Sequence, residues 1–470
     1  MSKLSSPGQL TSAHAHSERM ALRVIASWER GTNTLDYILQ GAFQRSKLSP
    51  QDKARVTEWV YNWGRGRGSA RYLLEDKLSR GLDSLPAKLR RRLELCVCRL
   101  LYEERTPKEV IVSGAVDAVK GEYGTALGNV ANAVLRKIAA DPLPWPDEET
   151  DPVAHLAHST SHPAWIVERW LRRWGKERTE AQLKWNNLRP SIWLRWNALQ
   201  GDRDKAVAIL HAADVEFEEA GDFANYYRLT SSFYPRAASL VQSGYFSVQD
   251  PSASLAVSLL NPKPGMEILD LCAAPGGKTT LMAEMSGGDA RITALDSSGE
   301  RLKQLEKSLK ALNIPGVQAI VADARRARDN SHAKASRPEV LQDKQFDAVL
   351  ADVPCSGFGV LGRRADLRWR RKPEDIADLV KLQKELIRAA ARCTRPGGVM
   401  VYSTCTTEPE ENGEIVRDFR QNNGDFTLDE IPEDIPDRFK IGRGEIATYS
   451  PRDGVDGIYA ARLARKSDES

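Results

Sequence analysis

Asp270-Leu-Cys-Ala-Ala-Pro-Gly-Gly-Lys-Thr-Thr280 decides how this chain is read. The residues leading into it, Met266-Glu-Ile-Leu-Asp-Leu271, are a short apolar run after a Pro264-Gly265 turn, which predicts a strand. After Pro275, Gly276 and Gly277 the pattern becomes helical to about Met285. Strand, tight glycine turn and helix together predict the first unit of a doubly wound nucleotide-binding sheet. The glycines allow close approach of backbone to a ligand, and the helix start offers unpaired amides. Two phosphate-loop patterns fail: a Walker loop needs glycine where Cys272 stands, and G-x-G-x-x-G is absent. An ordinary buried strand with a glycine turn would need no ligand. The next strand, Ile292-Thr-Ala-Leu-Asp296, argues against that alternative, because Asp296 lies where an acid can grip a ribose diol.

Working outward, apolar strands alternate with helices from about Gly244. Gln318 to Val321 is a strand before Asp323, Phe346 to Asp352 another, and Gly398 to Thr404 another. Glu374 to Cys393 and Glu410 to Arg420 read as helices, Gly457 to Leu463 as a late strand, and 324–345 as a polar surface excursion. The alternation predicts an α/β domain with a largely parallel sheet covered on both faces. Ligands of such sheets bind beyond the carboxyl ends of the strands. Asp270, Asp296, Asp323, Asp352-Val-Pro-Cys355 and Thr404-Cys405 all fall at those ends. One acid at a strand end is common as a helix cap; several along one rim, joined by two cysteines, point to chemistry.

The front of the chain reads differently. Apolar residues at helical spacing recur from Glu18 to about Ala140, with few alternating runs, so this part is all-helical. Arg65-Gly-Arg67 and Arg90-Arg-Arg92 suit either a solvated helix face or RNA phosphate. Asp141 to Pro152 is rich in proline and acid and reads as a linker. His155, His158 and His162 follow, but no cysteine or carboxylate completes a metal set. The organisation expected is a frayed N-terminus (1–17), an all-helical domain (18–145), a linker (146–162), a small α/β unit (163–243) and the large α/β domain (244–465).

The 470 residues are 41% apolar and 28% charged with a formal charge of +4, a mild basicity that permits a nucleic-acid partner without requiring one. No apolar run is long enough to span a bilayer, and the N-terminus lacks a secretory apolar core. The six cysteines show no CxxC pairing, which excludes a zinc ribbon and fits a reducing compartment. A cytoplasmic monomer with no membrane association and no metal is expected.

The segments DLCAAPGGKTT, ALDSS, VADA, ADVPCSGFGVLGRRADLRW and VYSTCTTEPEENGEIV resemble the motif series of the Sun-type RNA (cytosine-5) methyltransferases. The resemblance covers nearly the whole chain. The front helices, ending in Gly128-Asn-Val-Ala-Asn-Ala-Val-Leu-Arg136, resemble the NusB-like domain of the branch that modifies bacterial 16S rRNA, and Gly244 to Asp250 matches an intermediate segment. The resemblance implies a Rossmann-like class I methyltransferase domain with a mostly parallel seven-stranded sheet, preceded by a NusB-like RNA-binding domain and a small RRM-like unit. It implies S-adenosyl-L-methionine as cofactor, held by Cys272, Ala273, Ala274, Pro275, Gly276, Gly277 and Lys278, with Asp296, Arg301, Asp323 and Asp352. It implies RNA as partner, 16S rRNA foremost, met by Arg363, Arg364, Arg368 and Trp369. It further implies Cys405 as nucleophile, Cys355 as the residue that assists release, and Asp352 as a hydrogen-bond partner of the base.

That assignment answers a chemical need. Carbon 5 of cytosine is a weak nucleophile until a thiolate adds at carbon 6; the carbon-5 hydrogen must then leave and the sulfur be expelled. The reversed cysteine assignment used by related DNA enzymes, a tRNA target, and a non-catalytic RNA-binding assembly factor are the alternatives. Ala365, where the family usually has proline, and Ile458 before Tyr459 depart from the pattern. Both concern RNA fit rather than the cysteines.

Overall fold

In a computed structural model, the structure describes residues 7–140, 142–230, 235–327 and 344–467. Most of the polar excursion expected at 324–345 lies outside these residues. The chain begins with helices α1 (Pro7–Arg30), α2 (Leu35–Gln44), α3 (Pro50–Lys77), α4 (Ala87–Tyr102), α5 (Lys108–Tyr123), α6 (Thr125–Ala140), α7 (Pro152–Ser159) and α8 (Ala164–Asn187). Next come β1 (Trp193–Trp196), α9 (Arg203–Ala212), β2 (Phe217–Glu219), β3 (Tyr226–Leu229), α10 (Pro235–Gln242) and β4 (Phe246–Val248). The remainder holds α11 (Ser252–Leu260), β5 (Glu267–Asp270), α12 (Gly277–Met285), β6 (Arg291–Asp296), α13 (Gly299–Leu312), β7 (Val317–Val321), β8 (Phe346–Asp352), α14 (Leu367–Arg370), α15 (Pro373–Cys393) and β9 (Thr394–Thr404). It closes with α16 (Gly413–Asn422), β10 (Phe426–Leu428), β11 (Lys440–Gly442), β12 (Glu445–Ala447), α17 (Ser450–Asp453) and β13 (Tyr459–Arg465).

Two compact units emerge. The first comprises the chain up to Arg189 together with Leu361–Arg371; the second comprises Pro190–Val360 and Lys372 onward. The helical unit is built round α3, which starts cleanly because Ser49 caps it and Pro50 occupies the first turn. Its Trp59 and Trp63 are buried with Trp28 of α1, Val97 and Cys98 of α4, Val119 of α5 and Leu135 of α6. Segment 361–371 is part of this unit: Asp366 Oδ2 accepts from Trp28 Nε1 at 3.0 Å and from the Leu35 amide at 3.2 Å. Trp369 Nε1 donates to the Gly64 carbonyl at 2.7 Å, and a Cβ at Gly68 would lie 2.5 Å from the same indole.

The described part of the stretch expected to fray at 1–17 is helix, since α1 begins at Pro7. The expected linker 146–162 contains α7, capped by Asp151. Helix α8 groups by contact with the helical unit and is broken at Gly175, whose φ is 73°.

The second unit carries two sheets. The smaller is antiparallel in the order β2-β3-β1-β4. The larger has, among the described residues, nine strands rather than the seven expected: β11-β12-β13-β9-β8-β5-β6-β7, with β10 also on β13. Pairs β9-β8, β8-β5, β5-β6 and β6-β7 are parallel, while β13 joins β9 antiparallel and carries the extra strands. The extra strands went unread because they are only three residues long. The parallel strands are apolar on both faces, as a doubly covered sheet demands. Ile268, Ala348, Leu350 and Val401 point into one core with α11 and α12, whereas Leu269, Val349, Ala351, Met400 and Tyr402 point into the other with α15 and α16.

Candidate active site at the strand ends

Within the second unit, the register of β8 on β9 sets Asp352 opposite Ser403. The Ser403 hydroxyl donates to Asp352 Oδ1 at 2.7 Å, and Lys278 Nζ donates to Asp352 Oδ2 at 2.7 Å. Burial alone would pull the Lys278 ammonium down; the Asp352 carboxylate and the neighbouring Cys405 more than offset this, so its pKa lies above the ordinary lysine value. Three residues beyond Asp352 and two beyond Ser403 stand Cys355 and Cys405, with sulfurs 3.3 Å apart. The Cys355 thiol is held well above its ordinary pKa, first by its hydrogen bond with Cys405, then by burial, the charge of Cys405 and that of Glu411. The loops are pinned by backbone bonds from Val353 N to Ser403 O and from Gly359 N to Cys405 O, both at 3.0 Å. Glycine is required at 359, where a Cβ would lie 2.0 Å from the Gly457 carbonyl and 2.9 Å from that of Cys405.

Along the same rim, Asp270 ends β5 beneath the glycine turn. Its Oδ2 accepts from Thr279 Oγ1 at 2.7 Å, while Oδ1 is buried without a partner. Burial pushes this carboxyl up to about 7, the Thr279 bond opposing. Gly276 has a φ of 108°, and a Cβ there would lie 2.3 Å from Leu305. Asp296, ending β6, accepts from the Ala274 amide at 3.2 Å and the Ser298 amide at 2.9 Å, and pairs with Arg301 at 3.4 Å; Arg301 also donates to the Ala274 carbonyl. Asp323, after β7, is bound by Arg325 at 2.7 Å, which holds its carboxyl below the usual range. Cys272 is kept a thiol chiefly by burial. An orphaned buried carboxylate oxygen, a cradle too tight for a side chain, and carboxylates ending three successive parallel strands suit a ligand with an ammonium and hydroxyls.

Sequence reasoning missed the support beneath this rim. Arg195 of β1 is buried, as is Glu284 of α12, and the two pair at 2.7 Å. Arg195 also donates to the Gly277 carbonyl at 2.8 Å, Thr280 Oγ1 at 2.9 Å and Gln249 Oε1, so the small sheet holds the first turn of the helix after the glycines. The signal was an arginine inside Trp193-Leu-Arg-Trp196, where every residue is buried. Also missed were Ser356, Thr406 and Glu411, which lie behind the cysteines.

Other expected contacts fall elsewhere. Arg363, Arg364, Arg368 and Trp369 belong to the helical unit. Arg368 is fully buried, donating to Ser161 O at 3.1 Å, Asn186 O at 3.0 Å and Asn187 Oδ1 at 2.8 Å. Trp369, half-buried, is bonded to α3, so both side chains make contacts inside the helical unit. Arg364 is exposed and Arg363 half-buried. The front arginine runs are largely paired internally: Arg65 donates to Gly362 O, Arg90 pairs with Asp83, Arg91 with Glu29, and Arg92 with Glu18 and Glu122. His162 is buried beside Thr160 and Asn186, and His158 stacks on Tyr72. Among the described residues no His, Cys, Asp and Glu group could hold a metal, and no helix is long and apolar enough to cross a membrane.

Comparison with known proteins places this geometry in context. Residues 257–464 match the family described as 16S rRNA methyltransferase RsmB/F, residues 16–140 the NusB family, and residues 162–233 the ferredoxin-like domain of RsmF/B-like methyltransferases. The probable ribosomal RNA small subunit methyltransferase B of Bacillus subtilis (strain 168) is 30% identical over 452 residues, spanning 95% of this chain and 98% of its own. Ribosomal RNA small subunit methyltransferase B of Vibrio vulnificus (strain YJ016) is 32% identical over 446 residues, spanning 93% and 96%. The crystal structure of PH0851 superposes with a TM-score of 0.77 at 25% identity, covering 98% of this chain and all of its own.

Proposed function

Because the chain belongs to the 16S rRNA methyltransferase RsmB/F family, we propose that it methylates carbon 5 of a cytosine in 16S rRNA through a transient bond from Cys405 to the base. The observation that carries this is the pair of thiols 3.3 Å apart, next to a carboxylate clamped by Ser403 and Lys278. S-adenosyl-L-methionine, when bound, supplies an electrophilic methyl group on a sulfonium. The loop from Cys272 to Lys278, with Asp296, Arg301 and Asp323, would hold it, and the unpartnered Asp270 oxygen supports that assignment.

The Cys405 thiolate adds to carbon 6 of the base, Asp352 hydrogen-bonds the ring nitrogen beside the amine, and the electron pair pushed onto carbon 5 forms the new bond to the methyl group. Either sulfur can donate in the Cys355–Cys405 contact; in this reading Cys355 keeps its proton and Cys405 accepts. Once Cys405 sulfur is bonded to carbon, its charge is gone and the largest influence holding up Cys355 is removed. Cys355 can then ionise, take the carbon-5 proton and allow Cys405 to leave. The base must be unstacked or flipped to reach these sulfurs. The exposed Arg364 and its neighbour Arg363 are assigned to RNA phosphate.

The test is methyl transfer to 16S rRNA and, in parallel, to tRNA from cells lacking the enzyme. Cys405→Ala should abolish transfer, and Cys355→Ala should leave an RNA–protein adduct that survives denaturing gels. A fully active Cys405→Ala enzyme would reject the assignment, and transfer to tRNA alone would reject the substrate.

A further inference from the structure

Glu411 is fully buried in the turn before α16, and no lysine or arginine pairs with it among the described residues. Its Oε1 accepts from the Ser356 amide at 2.8 Å and from Gln383 Nε2 at 2.9 Å; its Oε2 accepts from the Ser356 hydroxyl at 2.5 Å. The Ser356 and Thr406 hydroxyls are 2.6 Å apart. Since Ser356 gives its hydrogen to Glu411, Thr406 is the donor in that contact. Ser356 follows Cys355 and Thr406 follows Cys405, so one carboxylate ties together the residues next to both sulfurs. Gln383 of α15 also donates to Pro354 O at 2.9 Å, extending the tie to the residue before Cys355.

We propose that Glu411 is a positioning residue that fixes the spacing of the two cysteines and makes them unequal, its charge bearing on Cys355 so that Cys405 is the sulfur that attacks. This rests on the covalent reading above and assigns a role within it. A buried carboxylate satisfied only by neutral donors keeps its field undamped over short distances. Among the described residues, the titratable groups that bear on Cys355 include Cys405, Tyr402 of β9 and Glu411 itself. The Cys355 thiol is raised first by its hydrogen bond with Cys405, then by burial and the charge of Cys405, and Glu411 adds in the same direction.

The test is Glu411→Gln in the full chain, a change that keeps size and removes charge. Alkylation of each cysteine by iodoacetamide, followed across pH by mass spectrometry, should show Cys355 reacting about tenfold faster at a given pH, the scale on which one buried charge acts on a thiol. The contrast between Cys355 and Cys405 should narrow. An unchanged ratio at every pH, in a variant that melts like the parent, would overturn the proposal. If Cys355→Ala itself forms no adduct, the covalent reading fails, while the alkylation measurement still decides the role of Glu411. Should Glu411→Gln not fold, Ser356→Ala and Thr406→Ala each cut the tie and keep the charge. Both should lower kcat severalfold with KM for S-adenosylmethionine unchanged, and an unaltered kcat in both would overturn the positioning role.

Discussion

Arg195→Met cuts the small sheet away from the helix that follows the glycine turn. Both partners of the Arg195–Glu284 pair are withdrawn from water, with side-chain exposures of 1% and 2%, so solvent does not screen the loss. Removing one member of such a pair leaves the other charge uncompensated and costs about 3–5 kcal/mol. For a domain of this size that corresponds to a fall in melting temperature of roughly 10 °C. The sign of the pH dependence follows from Glu284. Burial already raises its carboxyl above the ordinary value, and Arg195 is the influence pulling it back. Without Arg195 it rises further, and a carboxyl raised in the folded state penalises folding above its unfolded pKa. The deficit against wild type is therefore largest near pH 8 and shrinks on acidification towards pH 5, as Glu284 takes up a proton. Thermal melting of both proteins across that range, read by fluorescence, measures it. Adding Glu284→Gln should recover more than half of the loss, since the orphaned charge is then gone. A variant that melts with wild type at pH 8, or a deficit that widens on acidification, would refute the argument.

Two further outcomes are expected. Asp270 carries a carboxyl raised to about 7 against an ordinary 3.8, so Asp270→Asn should melt higher than wild type, with a gap that widens between pH 4 and pH 7 and is flat above; a pH-independent gap in the same melting assay would contradict the burial argument. Arg368→Met should lower the stability of the helical unit by about 2–4 kcal/mol in thermal melting, because three buried acceptors lose a charged donor, and Arg368→Lys should restore less than half because an ammonium lacks the planar fork.

What the sequence disclosed was whatever local chemistry decides. The strand-turn-helix at Asp270 to Met285, the acids at the strand ends and the two cysteines each declare themselves within a dozen residues, and the parallel sheet follows from apolar strands alternating with helices. The antiparallel strands beyond β13 were not legible, since β11 and β12 are a hairpin of three-residue strands that joins the sheet only through β12 on β13. Arg195 and Glu284 are 89 positions apart, so no window holds both ends of the bond. The packing of the arginine-aromatic run after Cys355 was hidden for the same reason: residues nearly 200 to over 300 positions earlier supply acceptors to Arg368 and Trp369.

Six residues after Cys355 the chain leaves the catalytic unit, contributes Leu361–Arg371 to the helical one, and returns at Lys372. The two modules are thus sewn rather than strung. A fragment ending at Arg189 would retain every helix up to α8 yet lack the indole that bonds Gly64 and the carboxylate that receives Trp28. A catalytic fragment starting at Pro190 would carry those same side chains with their native partners deleted. Gene dissection at the apparent boundary should therefore yield two poorly behaved halves, and a stand-alone version of either would have to rewrite these eleven residues.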